Sequence, residues 1–249
     1  MRTGNPALGD NTFTGLGRVR AEAAMTIQGT ANKALVLLLC VLVTASWTWS
    51  RCYAGGVLDP QAVTPWVVVG AIAGFIVALV TIFKQTWAPV TAPLYALLEG
   101  LVIGGVSALF EAQFPGIVMQ AVALTFGTCL ALLLAYKSRL IRATENFKLG
   151  VVAATGGIAL FYLITLILGW FGIGMPIIYG NSWFSIGFSL FVVVIAALNL
   201  VLDFDFIEAG AAQGAPKYME WYGAFGLMVT LIWLYLEMLR LLAKLRSRD

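Results

Sequence analysis

From Leu149 to Leu202 the chain runs for 54 residues without an Asp, Glu, Lys or Arg. A stretch this long cannot be the inside of a water-soluble domain, because its turns would have to meet water with no charged residue on them. A helix that crosses a bilayer uses about 20 apolar residues, so residues 149–202 must hold two such spans. Further windows with few or no charges fall at 34–50, 60–83, 85–110 (broken only by Glu99), 112–136 and 221–236. The total is seven. The whole chain agrees, with 61% hydrophobic and 11% charged residues against about a quarter charged in globular domains.

Transmembrane strands would show segments of about ten residues alternating in polarity. These windows are apolar all round, so an all-α integral membrane protein with seven transmembrane helices is expected. The spacing predicts spans at about 32–50, 65–83, 92–111, 115–136, 149–170, 181–203 and 218–243. That division leaves an N-terminal tail, 1–31, one transmembrane domain, 32–243, and a basic C-terminal tail, 244–249. The first 25 residues lack the apolar core of a signal peptide and are expected to be a retained tail. The pairs Gly70/Gly74 and Gly100/Gly104 have the small-xxx-small spacing that lets helices approach closely.

The chain has no histidine, which excludes histidine-based acid–base catalysis and histidine metal sites. Cys40, Cys52 and Cys129 form no CxxC pair and read as small core residues. No enzyme activity, cofactor or nucleic-acid partner is expected, and the lipid bilayer is the first partner.

Lys and Arg concentrate in the N-terminal tail, at Lys84 and in the 137–148 loop. The positive-inside rule then predicts a cytoplasmic N-terminus and a cytoplasmic 203–217 connection. It also sends Arg240, Lys244, Arg246 and Arg248 outside if the seventh segment crosses. A re-entrant region between the sixth and seventh segments is the alternative that would return them.

A carboxylate at the centre of a bilayer costs about 2.5–3.5 kcal/mol, so intramembrane acids default to functional candidates. Glu99 stands near the middle of the third segment with no basic residue within a turn, which calls for a buried partner or a protonated state. Glu237 follows sixteen uncharged residues; it is either a functional group or half of an i,i+3 ion pair with Arg240. The stretch "NLVLDFDFIEAG" adds Asp203, Asp205 and Glu208. At about 100° per residue, Asp203 and Asp205 point to nearly opposite sides of a helix while Asp205 and Glu208 share a face. The three do not form one chelate on an intact helix, and the pattern lacks the glycine and final glutamate of a calcium-binding EF-hand loop. Asp203, the deepest, is expected to face the protein interior, with Asp205 and Glu208 at a solvated helix end.

The segments "GNPAL", "PLYALLEG", "NLVLDFDFIE" and "WLYLEMLRLL", in this order on seven spans, resemble the Bax inhibitor-1/YccA family of small membrane proteins in its bacterial branch. The resemblance implies a seven-helix bundle with the last helix central, in the bacterial cytoplasmic (inner) membrane. It also implies a pH-sensitive calcium leak, in which an aspartate ending the sixth span pairs with an acid of the seventh. Here those positions are Asp203 and Glu237, a weak dyad for Ca²⁺ or a proton, with Asp205 and Glu99 as secondary candidates. Two close carboxylates share a proton, and losing it leaves repelling charges and oxygen ligands for a hard cation. At the helical rise, Glu237 lies about 28 Å along a helix starting near Tyr218, which sets it at a different depth from Asp203. Some bacterial relatives associate with a membrane-bound ATP-dependent protease, so the alternative function is regulation of such a protease through the N-terminal tail.

Overall fold

The computed structural model describes residues 24–53, 58–172, 180 and 182–248. Among them are seven long α-helices: α1 Ile27–Cys52, α2 Thr64–Phe83, α3 Ala88–Gln113, α4 Ile117–Lys137, α5 Glu145–Trp170, α6 Trp183–Ala212 and α7 Met219–Arg246. Each is long and apolar enough to span a bilayer. The protein is therefore an all-α, seven-helix, multi-pass membrane protein in a lipid environment. Among the described residues the only pairing of the β type is one bridge between Ala24 and Pro216. Most of the N-terminal tail, residues 1–23, lies outside the described residues.

The helix limits depart from the predicted ones where polar residues adjoin the apolar windows. α3 begins at Ala88 rather than 92, because Pro89 occupies its first turn, where a missing N–H costs nothing, and Pro93 follows inside the helix. α6 runs on to Ala212 rather than stopping near 203. Charges end an apolar span, but a helix ends on its backbone: Gly214 takes a left-handed φ of 68°. The amides of Gly214 and Ala215 bond back to Ala211 and Gly210 at 3.2 and 3.0 Å, a glycine-dependent stop. α7 is one unbroken helix of 28 residues, about 42 Å at 1.5 Å per residue, which is ample for a crossing.

The chain forms two compact units. Of the described residues, one holds Ile117–Phe206 and those from Val229 onward; the other holds those from Ala24 to Gly116 together with Ile207–Met228. In the second unit, α1, α2 and α3 pack through glycine. A Cβ on Gly100 or Gly104 of α3 would collide with Val41, Thr44 or Ala45 of α1, and one on Gly70 of α2 would stand 2.7 Å from the Leu98 carbonyl. Gly100, Gly104 and Gly70 thus mark close approaches, while a Cβ on Gly74 would meet its neighbours at ordinary contact distance.

The root of the N-terminal tail is tied down in the same unit. The Met25 amide donates to the Ala215 carbonyl at 2.6 Å. Thr26 caps α1 by accepting from the Gly29 amide at 2.9 Å. Its own amide and hydroxyl donate to Glu220 Oε1 at 3.0 and 2.9 Å. Lys33 completes the knot as an ion pair with Glu220. Gly29 is required beneath it, since a Cβ there would strike the Glu220 carboxylate.

Candidate functional site: a polar stripe on the last two helices

Within the first unit, the buried face of α6 carries Ser185, Ser189, Asn199 and Asp203, each no more than 2% exposed. At about 100° per residue these four positions fall within an arc of about 80°, so they form one stripe. α7 answers with Thr230, Glu237 and Lys244, all buried and spaced by heptads, which also keeps them on one face. Apolar residues of α5 and α6 close around them: Ile158, Val192 and Ile195 pack together with Trp233, Tyr162 and Phe188.

Asp203 is fully buried, as its depth in the sequence predicts. It lies close enough to Cys129 of α4 to act on that thiol electrostatically. Asn199, one turn earlier, donates through Nδ2 to Thr155 Oγ1 of α5 at 2.8 Å and to the Ile195 carbonyl at 2.9 Å. Asn199 is not among the residues expected from the sequence, and its signal there is that it opens the same acidic stretch four residues before Asp203.

Glu237 is engaged elsewhere. Arg240 donates from Nη1 to both of its carboxylate oxygens, at 2.8 and 3.0 Å. The Tyr162 hydroxyl of α5 donates to Oε1 at 3.0 Å and accepts from Arg240 Nη1 at 2.7 Å. Of the two readings that the sequence left open, the i,i+3 ion pair is therefore formed, with a tyrosine as third member.

Lys244 fixes the register of the two helices. Its ammonium donates to the Ser185 carbonyl at 3.3 Å and to Ser189 Oγ at 2.8 Å. Glu237, seven residues earlier on an antiparallel helix, is then level with about residues 192–196, roughly 10–16 Å short of Asp203 along the axis. This register sets Glu237 at a different depth from Asp203, its partner in the dyad implied by the resemblance, and the cause is the helical rise. Thr230, a further heptad back, is level with about residue 201, between Asn199 and Asp203.

Asp205 is not simply solvated. It forms an ion pair at 2.9 Å with Lys148 of α5, an ammonium only 5% exposed, which also lies 3.5 Å from Glu145. Glu208 is exposed, as expected. In the second unit, Glu99 accepts a hydrogen bond from the Tyr95 hydroxyl one turn earlier. Gly74 of α2 faces it, an added Cβ falling 3.6 Å from Oε2. The buried partner predicted for Glu99 is thus a neutral tyrosine, and the i−4 spacing in "PLYALLEG" is the signal that could have found it.

Among the described residues no three His, Cys, Asp or Glu side chains come together to hold a metal ion. What the geometry offers instead is a line of hydroxyl, amide, carboxyl and ammonium groups running along two apolar helices. Neither the curated proteins nor the solved structures compared with the chain include a match. A family model described as Bax inhibitor 1 like matches residues 5–247. The sequence motifs, the seven spanning helices and this match over nearly the whole length agree: the chain belongs to the Bax inhibitor 1 like family.

Proposed function

We propose that the protein is a cation leak of the bacterial cytoplasmic membrane, with its N-terminus in the cytoplasm, whose path follows the polar stripe of α6 and α7. The observation that carries this reading is Asp203, a fully buried carboxyl past the midpoint of a spanning helix, on the same face as Asn199, Ser189 and Ser185. A carboxyl kept in such a place is costly. In a pump or channel that cost is repaid by a group able to gain and lose a proton and to replace part of an ion's hydration shell.

Asp203 is the titrating group in this scheme, and Ca²⁺ is the proposed permeant ion. Few oxygens are at hand compared with the six to eight that Ca²⁺ takes, so binding is weak and transit is favoured. Glu237, held by Arg240 and Tyr162, stands further along the path as a closed ion pair whose opening would admit a cation. Asp205, neutralised by Lys148, serves as a side group, while Glu99, hydrogen-bonded by Tyr95, belongs to the other unit. Calcium flux into proteoliposomes, compared at mildly acidic and mildly alkaline pH, tests the scheme. Flux should depend on pH in the wild type and lose that dependence in Asp203→Asn; equal, pH-independent flux in both would overturn it.

A second reading, regulation of a membrane-bound ATP-dependent protease, is favoured by the knot at the tail root. Thr26 and Lys33 hold Glu220 of α7 directly, so a partner pulling on residues 1–23 would act on the last helix. Deleting residues 1–23 should then abolish co-purification with the protease while leaving flux intact; unchanged co-purification would count against this role.

A further inference from the structure

Arg240, Lys244 and Arg248 recur every fourth residue at the end of α7 and so line one face of it. Residues 240–249 contain four cations, with Arg246 among them, and one carboxylate side chain, Asp249. Glu237 forms an ion pair with Arg240 and acts on Lys244 at longer range. Lys244 is 6% exposed, yet both of its contacts are neutral oxygens, the Ser185 carbonyl and Ser189 Oγ. Arg240 makes all its bonds through Nη1, which leaves Nε and Nη2 unengaged among the described residues, on a side chain 35% exposed. The Arg248 guanidinium lies 3.5 Å over the ring of Trp183 at the start of α6.

These cations stand at the end of a helix long and apolar enough to span a bilayer. Beside them Trp183 and Phe184 are 74% and 70% exposed, which suits the membrane interface, where amphipathic rings collect. Arg240, Lys244 and Arg248 thus bring three positive charges to one helix face, with Glu237 paired to Arg240, beside two large apolar rings. We infer that Arg240, Lys244 and Arg248 bind the phosphate diester of an anionic phospholipid whose acyl chains cover Trp183 and Phe184. Guanidinium groups match phosphate oxygens with paired donors, and a buried ammonium adds a point charge behind them. Basic clusters between transmembrane helices bind lipid headgroups in this way. The exposed rings select a lipid over free phosphate, since only a lipid brings hydrocarbon to cover them.

The test uses the full-length protein, stripped of lipid in a neutral detergent and titrated by native mass spectrometry. The probes are phosphatidylglycerol, phosphatidylcholine and inorganic phosphate. Phosphatidylglycerol should be retained at least about tenfold better than phosphatidylcholine. The Lys244→Gln/Arg248→Gln protein should lose at least about tenfold in that retention, at about fivefold for each charge removed. Arg248→Gln alone, on an exposed side chain, should lose about fivefold and keeps the test available if the double variant folds poorly. Equal retention of the two lipids, unchanged retention in the variants, or displacement of the lipid by an equal concentration of inorganic phosphate would each overturn the assignment.

Discussion

Lys33 of α1 and Glu220 of α7 form an ion pair across 187 positions of sequence, and the glutamate side chain in it is fully buried. Removing one partner of such a pair strands the other charge away from water, a loss of about 3–5 kcal/mol. Lys33→Met should lower the thermal unfolding midpoint in detergent clearly. Gly29→Ala, which changes no charge, should do the same by pushing the Glu220 carboxylate off the end of α1. An unchanged midpoint in both variants would mean that the knot contributes nothing to stability.

The Glu237–Arg240–Tyr162 triangle predicts strong coupling. Glu237→Gln and Arg240→Gln should each cost about 3 kcal/mol or more, and the double variant should recover part of that loss, because no unpaired charge then remains buried. Tyr162→Phe should cost about 1.5–3 kcal/mol, the scale of a hydrogen bond to a charged group. A double-mutant cycle in denaturant measures the coupling, and additive losses would contradict the geometry.

Glycines on contact faces and glycines on open faces should respond differently. Gly104→Ala drives a methyl group into the α1 backbone at Ala45 and should destabilise by about 1–3 kcal/mol. Gly156→Ala meets nothing within 4 Å and should be neutral or slightly stabilising, as alanine favours the helix by up to about 1 kcal/mol. Unfolding of the two variants side by side decides whether α1 and α3 touch as closely as described.

Asp203 and Asp205 sit two residues apart on α6 and should separate cleanly in function. Asp203→Asn should abolish the pH dependence of calcium flux. Asp205→Asn should leave that dependence in place and lower stability, because it leaves the buried Lys148 ammonium only its longer 3.5 Å contact with Glu145. The opposite pattern would move the titrating group to Asp205.

The spans were legible because long charge-free windows admit no other fold in a chain of this composition. Helix ends were less so: the acids after Leu202 mark where lipid gives way, while Gly214 marks where the helix stops. The inward turn of Asp203 followed from its depth, and the Glu237–Arg240 pair from its spacing of three. The Glu220–Lys33 contact had no local signature, since its members lie at opposite ends of the chain and only the fold brings them together. The heptad of Thr230, Glu237 and Lys244 was visible as a period. It gains meaning only beside the α6 stripe, because one polar residue per seven looks accidental on a single helix.

The Glu237–Arg240 pair also bears on how the chain is made. Both charges belong to one turn of one helix, so they can neutralise each other as that helix leaves the translocon, before any neighbour is available. An isolated carboxylate would face the full insertion penalty of about 2.5–3.5 kcal/mol at that moment. Asp203 has no basic residue within a turn on either side, so α6 needs earlier helices such as α4 and α5 waiting to receive it. The last helix carries its own counter-charge and can partition into lipid first and dock afterwards.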